Sequence, residues 1–334
     1  MAAKQVKTEY SAHIWSERWQ LGALTRDELV QIAFLAVIIG LLYMLFHLFG
    51  NMVSDVGSRS AFVWMVARWH DKVSFGADYS HGFLIPFVSL GVCWFQRDKL
   101  IKAEKKVNKY GLLVIIAALL LHWLGAKVQQ TRISLISLIM MIWGVPFYLW
   151  GWQLAKVLIF PCAYLIFCVP LNFLDALAFP LRMMSATMGT AFLNFIGIDA
   201  LCRGSGIFVG PASLLVDKVQ LDVADPCSGL RSLLAMTALT AVYAYLTQKT
   251  LLKKWLLFLM SIPIAVAGNI ARIVSIALVS ITTGQKFGAG LHHDWSGYVL
   301  FTFSISLMIG VGKLLQVNYR KLFLSWKKIY LSRS

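Results

Sequence analysis

Long apolar runs, several approaching the roughly 20 residues that cross a bilayer, alternate with short polar stretches along this chain. Eight membrane segments follow from that pattern, at about 29–49, 80–96, 111–126, 133–150, 157–170, 228–247, 255–282 and 298–316. The second and fifth are short and hold Pro86 and Pro161. Two of the stretches between segments are too long for plain turns. Residues 50–79 mix Trp64, Arg68, Trp69 and His70, which suits a helix at the membrane interface. Residues 171–200 are apolar enough to pass for a span, but Pro180, Arg182 and their Ser, Thr and Gly content predict helices lying flat on the outer face. Residues 201–226 alternate and carry Gly204, Gly206, Gly210 and Pro211, a small β-hairpin. The fold expected is an all-α integral membrane bundle of about eight transmembrane helices, with extracytoplasmic interfacial helices and that hairpin. No inverted repeat of the transporter kind is visible.

Composition agrees. Of 334 residues, 59% are hydrophobic and 14% charged, with a mean hydropathy of +0.71; a soluble domain keeps about a quarter charged. The polar stretch 1–28 is too long to precede the core of a cleaved signal peptide, so the first segment is expected to remain as an anchor. The net charge of +16 would suggest nucleic acid in a soluble protein. Here the basic residues flank apolar runs, and no nucleic-acid partner is expected. With the N-terminus inside, the inner loops carry nineteen Lys or Arg and the outer ones nine. The positive-inside rule then sets both termini in the cytoplasm. The expected division is a cytoplasmic segment 1–28, a transmembrane domain 29–316 and a basic cytoplasmic tail 317–334, with no second soluble domain after the last span.

Ionisable residues in or beside a membrane segment are functional candidates, since an arginine near the bilayer centre costs roughly 2.5–3.5 kcal/mol to insert. Four places qualify. "DPCSGLRS" puts Cys227, Ser228 and Arg231 at the outer start of the sixth segment. "GNIARIVSI" puts Asn269 and Arg272 on one face of the seventh. "LHHDWSGY" brings His292 and His293 to the entry of the eighth, and "DYSHGFLIP" sets His81 at the mouth of the second. Arg272 lies about eleven residues, or roughly 16 Å, inside the expected outer end of its segment. A helix ending near Ser280 or earlier would let the four groups meet in one pocket below the outer surface.

Such a set suits thiol-based acyl transfer. A cysteine attacks as thiolate, and its free pKa of about 8.5 falls beside a cation or at a helix N-terminus. An arginine holds an oxyanion but is no base, so an imidazole must carry the proton. Structural readings stand beside these. Cys227 could pair with Cys202, Asn269 and Arg272 could serve helix packing, and His81 could merely end a helix. The five cysteines show no CxxC pair or zinc spacing, and the two adjacent histidines with Asp294 have no further ligand cluster, so neither metal nor other cofactor is expected.

"VADPCSGLRSLLAM", "IPIAVAGNIARIVSIAL" and "GAGLHHDWSGY", in that order, strongly resemble the exosortase/archaeosortase membrane transpeptidases, and "YSHGFLIPFVSL" and "LAFPLRMMSATMGTAFLNFIGI" extend the resemblance over about residues 75–310. The resemblance implies a bacterial inner-membrane cysteine peptidase with its active site on the extracytoplasmic side. Its substrates would be exported proteins with a C-terminal sorting signal of the PEP-CTERM kind: a short Pro-containing motif, a transmembrane helix and a basic tail. The family's cysteine falls on Cys227, its arginine on Arg272 and its histidine on the HD pair, making His293 the better match than His292; Arg231, Ser228, Asn269 and His81 would support the site or bind substrate. Pro226 departs from the small or acidic residue expected before the cysteine, and suits the first turn of a helix. The rivals are a transporter lined by Arg272 and the histidines, a glycan polymerase or acyltransferase with no need of a cysteine, and a structural scaffold.

Overall fold

Where they are described, the eight apolar segments are helical, the form in which a chain satisfies its own backbone in lipid. The computed structural model describes residues 26–50, 58–70, 79–171, 173–204, 206–209, 219–222, 230–284 and 293–317, with backbone alone at some positions, Arg231 and His293 among them. In chain order the helices are α1 Arg26–Leu48, α2 Ala61–His70, a 3-10 turn Ser80–Phe83, α3 Ile85–Phe95 and α4 Arg97–Lys102. They continue as α5 Lys109–Lys127, α6 Thr131–Trp150, α7 Trp152–Tyr164 with a 3-10 extension to Cys168, and α8 Phe173–Phe195. Three strands follow, β1 Ala200–Arg203, β2 Gly206–Val209 and β3 Val219–Asp222, and then α9 Leu230–Thr247, α10 Leu251–Thr283 and α11 His293–Gln316.

Among the described residues, five helices (α1, α5, α6, α10 and α11) are long and apolar enough to cross a membrane, and three shorter apolar ones, Ser80–Phe95, Trp152–Cys168 and Leu233–Thr247, fill the remaining expected segments. The two ends of the bundle differ in chemistry. Lys99, Lys102, Lys109, Lys253, Lys254 and Lys313 lie at helix ends on one side; the sheet, α2 and α8 lie at the other. Cross-links fasten the lysine end: Lys106 N donates to Trp150 O at 3.3 Å, Tyr245 Oη to Gln96 Oε1 at 3.1 Å, and Gln248 Nε2 to Gly312 O at 3.0 Å.

Helix pairs close through small residues, as packing in lipid demands. The α5–α6 hairpin is the tightest. A Cβ at Gly111 would overlap the backbone of Tyr148, and one at Gly125 would lie 2.9 Å from Ser134 N. Asn108 caps α5 by accepting from Tyr110 N at 3.0 Å. Ser89 Oγ of α3 donates to Pro161 O of α7 at 2.7 Å, holding a proline-bearing helix to its neighbour. α1 is joined mainly near its end, where Phe46 is buried against His122 and His47 Nδ1 lies 3.0 Å from Ser60 Oγ.

Three expectations change. The hairpin gains a third strand: β1, β2 and β3 form one antiparallel sheet in sequence order, with Ile207 paired to both Cys202 and Leu221. Residues 173–195 form one continuous helix despite Pro180, because the face beyond it (Ala186, Gly189, Leu193) packs on α10 with Ile207, Val209, Ile273 and Ala277. The α2 tryptophans expected at an interface are buried: Trp64 is 2% exposed, and Trp69 donates its indole N–H to Cys168 O at 2.8 Å.

Candidate functional site

α10 sets the geometry. Its 33 residues make a rod of about 50 Å, longer than the roughly 30 Å hydrocarbon core. The helix does not stop near Ser280 or earlier, as the depth of Arg272 had seemed to require; it runs to Thr283, where Gly284 N closes on Ser280 O at 3.1 Å. The depth is resolved differently. Lys253 and Lys254 mark one surface, and Arg272 lies nineteen residues beyond Lys253, about 28 Å along the axis. A hydrocarbon core of roughly 30 Å beginning at those lysines would end near Arg272. The rest of α10 projects past it, wrapped by α8 and the sheet through Ile273, Val274 and Ala277.

Arg272 is half-buried, and its guanidinium is seated against α11. A Cβ at Gly297 would lie 3.3 Å from Nη2, 3.4 Å from Cζ and 3.7 Å from Nε. Gly297 is four residues, about one helical turn, after His293, the first residue of α11. Asn269, 5% exposed, occupies the same face of α10 one turn back. Beside it, Gly268 abuts Ser304 Oγ of α11. Ser275 Oγ returns to Arg272 O at 2.9 Å. The structure therefore brings together two of the expected site segments, the α10 face with Asn269 and Arg272 and the entry of α11 with His293.

Most of the other expected residues are described in part or not at all. Cys227, Ser228 and His292 lie outside the described residues, and Arg231 is the second residue of α9, where only its backbone is described. His81 lies in the 3-10 turn Ser80–Phe83. Its ring stacks on Tyr79 at 6.0 Å, and the adjoining Gly82 presses on the Trp69 indole. Tyr79 Oη donates to Leu171 O at 3.1 Å and accepts from Leu171 N at 3.2 Å. Cys202 is a free thiol on β1, its Sγ 3.4 Å from Gly204 O, which leaves the disulfide with Cys227 unsupported. Two groupings had not been singled out. One is the Gly297 seat. The other is a pair of arginines on one buried indole, Arg68 and Arg132 at 5.2 and 5.0 Å from the Trp64 ring centre, with Arg132 Nε donating to Pro170 O at 2.7 Å. The glycine of "HDWSG" was a signal for the first. Nothing along the chain pairs residue 64 with residue 132.

A polytopic helical protein with an arginine seated against a histidine-led helix is the class these features define. The family model described as transmembrane exosortase (Exosortase_EpsH) matches residues 64–310, from α2 into α11, and the chain belongs to that family. No curated relative and no solved structure matches it.

Proposed function

We propose that this exosortase is a cysteine transpeptidase that cleaves C-terminal sorting signals of exported proteins at the outer face of the bacterial inner membrane. The observation that carries the reading is the seating of Arg272 against Gly297 of α11, the helix that His293 begins, within a family match that also spans Cys227. The excess of Lys and Arg at one end of the bundle supports cytoplasmic termini and a site facing outward.

The substrate's transmembrane helix docks alongside the bundle, with its Pro-containing motif at the surface and its basic tail at the opposite side. The Cys227 thiolate attacks the scissile carbonyl carbon, forming a C–S bond as the carbonyl electrons move to oxygen. Arg272 holds that oxyanion through charged N–H donors. The intermediate collapses, the C–N bond breaks, and His293 delivers a proton to the departing amine. The resulting thioester is attacked by an acceptor nucleophile, which loses its proton to the same imidazole and releases the thiolate. Arg231, one turn from the cysteine, supports the thiolate by charge, and Ser228, Asn269, His292 and His81 line or brace the pocket.

The test follows a tagged exported protein carrying a Pro motif, an apolar helix and a basic tail, with and without Cys227→Ala. Processing is expected to stop and the full-length substrate to accumulate in the membrane. Normal processing in that variant would sink the reading.

A further inference from the structure

We propose that Gly297 is a positioning residue for Arg272: the missing side chain at 297 is the seat on which the guanidinium lies flat. The inference rests on the peptidase reading and adds to it the element that aims the oxyanion-binding group.

The nearest atoms to a Cβ at Gly297 are Nη2, Cζ and Nε of one residue, at 3.3, 3.4 and 3.7 Å. Three atoms spread across the group, rather than one tip, set the guanidinium across the position a Cβ would take. The other close-packed glycines differ. Gly111 gives way to the Tyr148 and Phe147 backbone, and Gly268 to Ser304 Oγ, so these serve helix approach. At Gly297 no backbone is among the three nearest atoms, and the space belongs to the arginine. Gly310, further along α11, has nothing within 4 Å of a Cβ and is the natural control.

The chemistry explains why a glycine is needed. A guanidinium is rigid and planar, and cannot wrap round an obstacle as an ammonium on a flexible stem can. Alanine at 297 sets a methyl carbon inside the usual carbon contact of about 3.5–4.0 Å. The guanidinium must lift by a few tenths of an ångström or turn about its side-chain torsions. Valine fills the seat and displaces the group altogether. A half-buried arginine moved this way remains charged and remains at the site, but its donors no longer meet the oxyanion.

The experiment uses the full-length enzyme in lipid nanodiscs and a tagged reporter ending in a Pro motif, an apolar helix and a basic tail. Gly297→Ala is expected to lower kcat about tenfold and Gly297→Val about 100-fold, the scale of a ~1 Å misplacement, with KM within about twofold. Gly310→Ala leaves both constants unchanged. In an Arg272→Lys background, which has no planar group to seat, Gly297→Ala causes no further loss; a glycine serving helix packing alone would cause the same loss in both backgrounds. Wild-type kcat in Gly297→Val, or equal losses in the two backgrounds, would overturn the proposal. Should the valine variant or the lysine background prove unusable, Gly297→Ala and Gly297→Ser decide it, and wild-type kcat in both overturns it. Turnover surviving Arg272→Ala would instead place the fault with the peptidase reading, whereas an inactive Arg272→Ala beside an unimpaired Gly297→Ala places it here.

Discussion

Asn194 ties the end of α8 to the start of the sheet, and its replacement by alanine should loosen β1 without disturbing the bundle. Its Nδ2 donates to Ala200 O at 3.0 Å and its Oδ1 accepts from Ala200 N at 2.8 Å. The turn between them closes on its own backbone: Gly197 N reaches Asn194 O at 3.1 Å and Ile198 N reaches Leu193 O at 3.0 Å. Gly197 takes a φ of 87° there, the left-handed conformation that ends many helices. Asn194→Ala therefore leaves the helix end intact and removes two side-chain bonds. The Asn194 side chain is exposed, so each bond is taken at the lower part of the usual range, about 0.5–1 kcal/mol. The two together give about 1.5 kcal/mol, roughly a tenfold rise in the local opening equilibrium. Hydrogen exchange followed by mass spectrometry in nanodiscs reads this directly. Peptides covering 198–209 should lose about tenfold in protection, while peptides from α5 and α6 keep theirs. Unchanged exchange in β1, or an equal rise throughout the protein, would refute the reasoning.

Two further predictions concern the surroundings of the site. Trp69→Phe removes the buried donor to Cys168 O and should cost about 1–3 kcal/mol, seen as a lower unfolding temperature of the purified protein; an unchanged temperature would mean the bond contributes nothing net. A membrane-impermeant maleimide added from the sheet side should label Cys227 and Cys202 and spare the buried Cys162 and Cys168. In a Cys202→Ser variant that labelling should abolish processing, and labelling that leaves processing intact would argue against a thiol mechanism.

The runs that read as spans became helices, and that part of the fold was legible because lipid leaves the backbone one local solution. What escaped the sequence depends on partners remote along the chain. Pro180 reads as a break, but α8 continues through it because Ala186, Gly189 and Leu193 are held by α10 and the sheet. Trp64 and Trp69 read as interfacial, but they are buried where α2 meets α6 and the end of α7, with Arg132 and Cys168 supplying the contacts. β3 was hidden because residues 210–218, with Gly210, Pro211 and Ser213, separate it from its partner β2, too far for the two-residue turn that marks a hairpin in sequence. The candidate site was legible as motifs on three segments. Their depth was not: a span length says nothing of a helix that continues past the membrane under a protein coat.

The length of α10 makes the protein answerable to its bilayer. One helix, with Pro263 within it, links Lys253 and Lys254 to Arg272 over about 28 Å, close to the roughly 30 Å of a hydrocarbon core. A thicker membrane must swallow the guanidinium, tilt the helix or thin around it, and a thinner one lifts the guanidinium clear. If the proposed peptidase activity holds, acyl-chain length should control turnover, with the fastest turnover in bilayers matched to that lysine-to-arginine span.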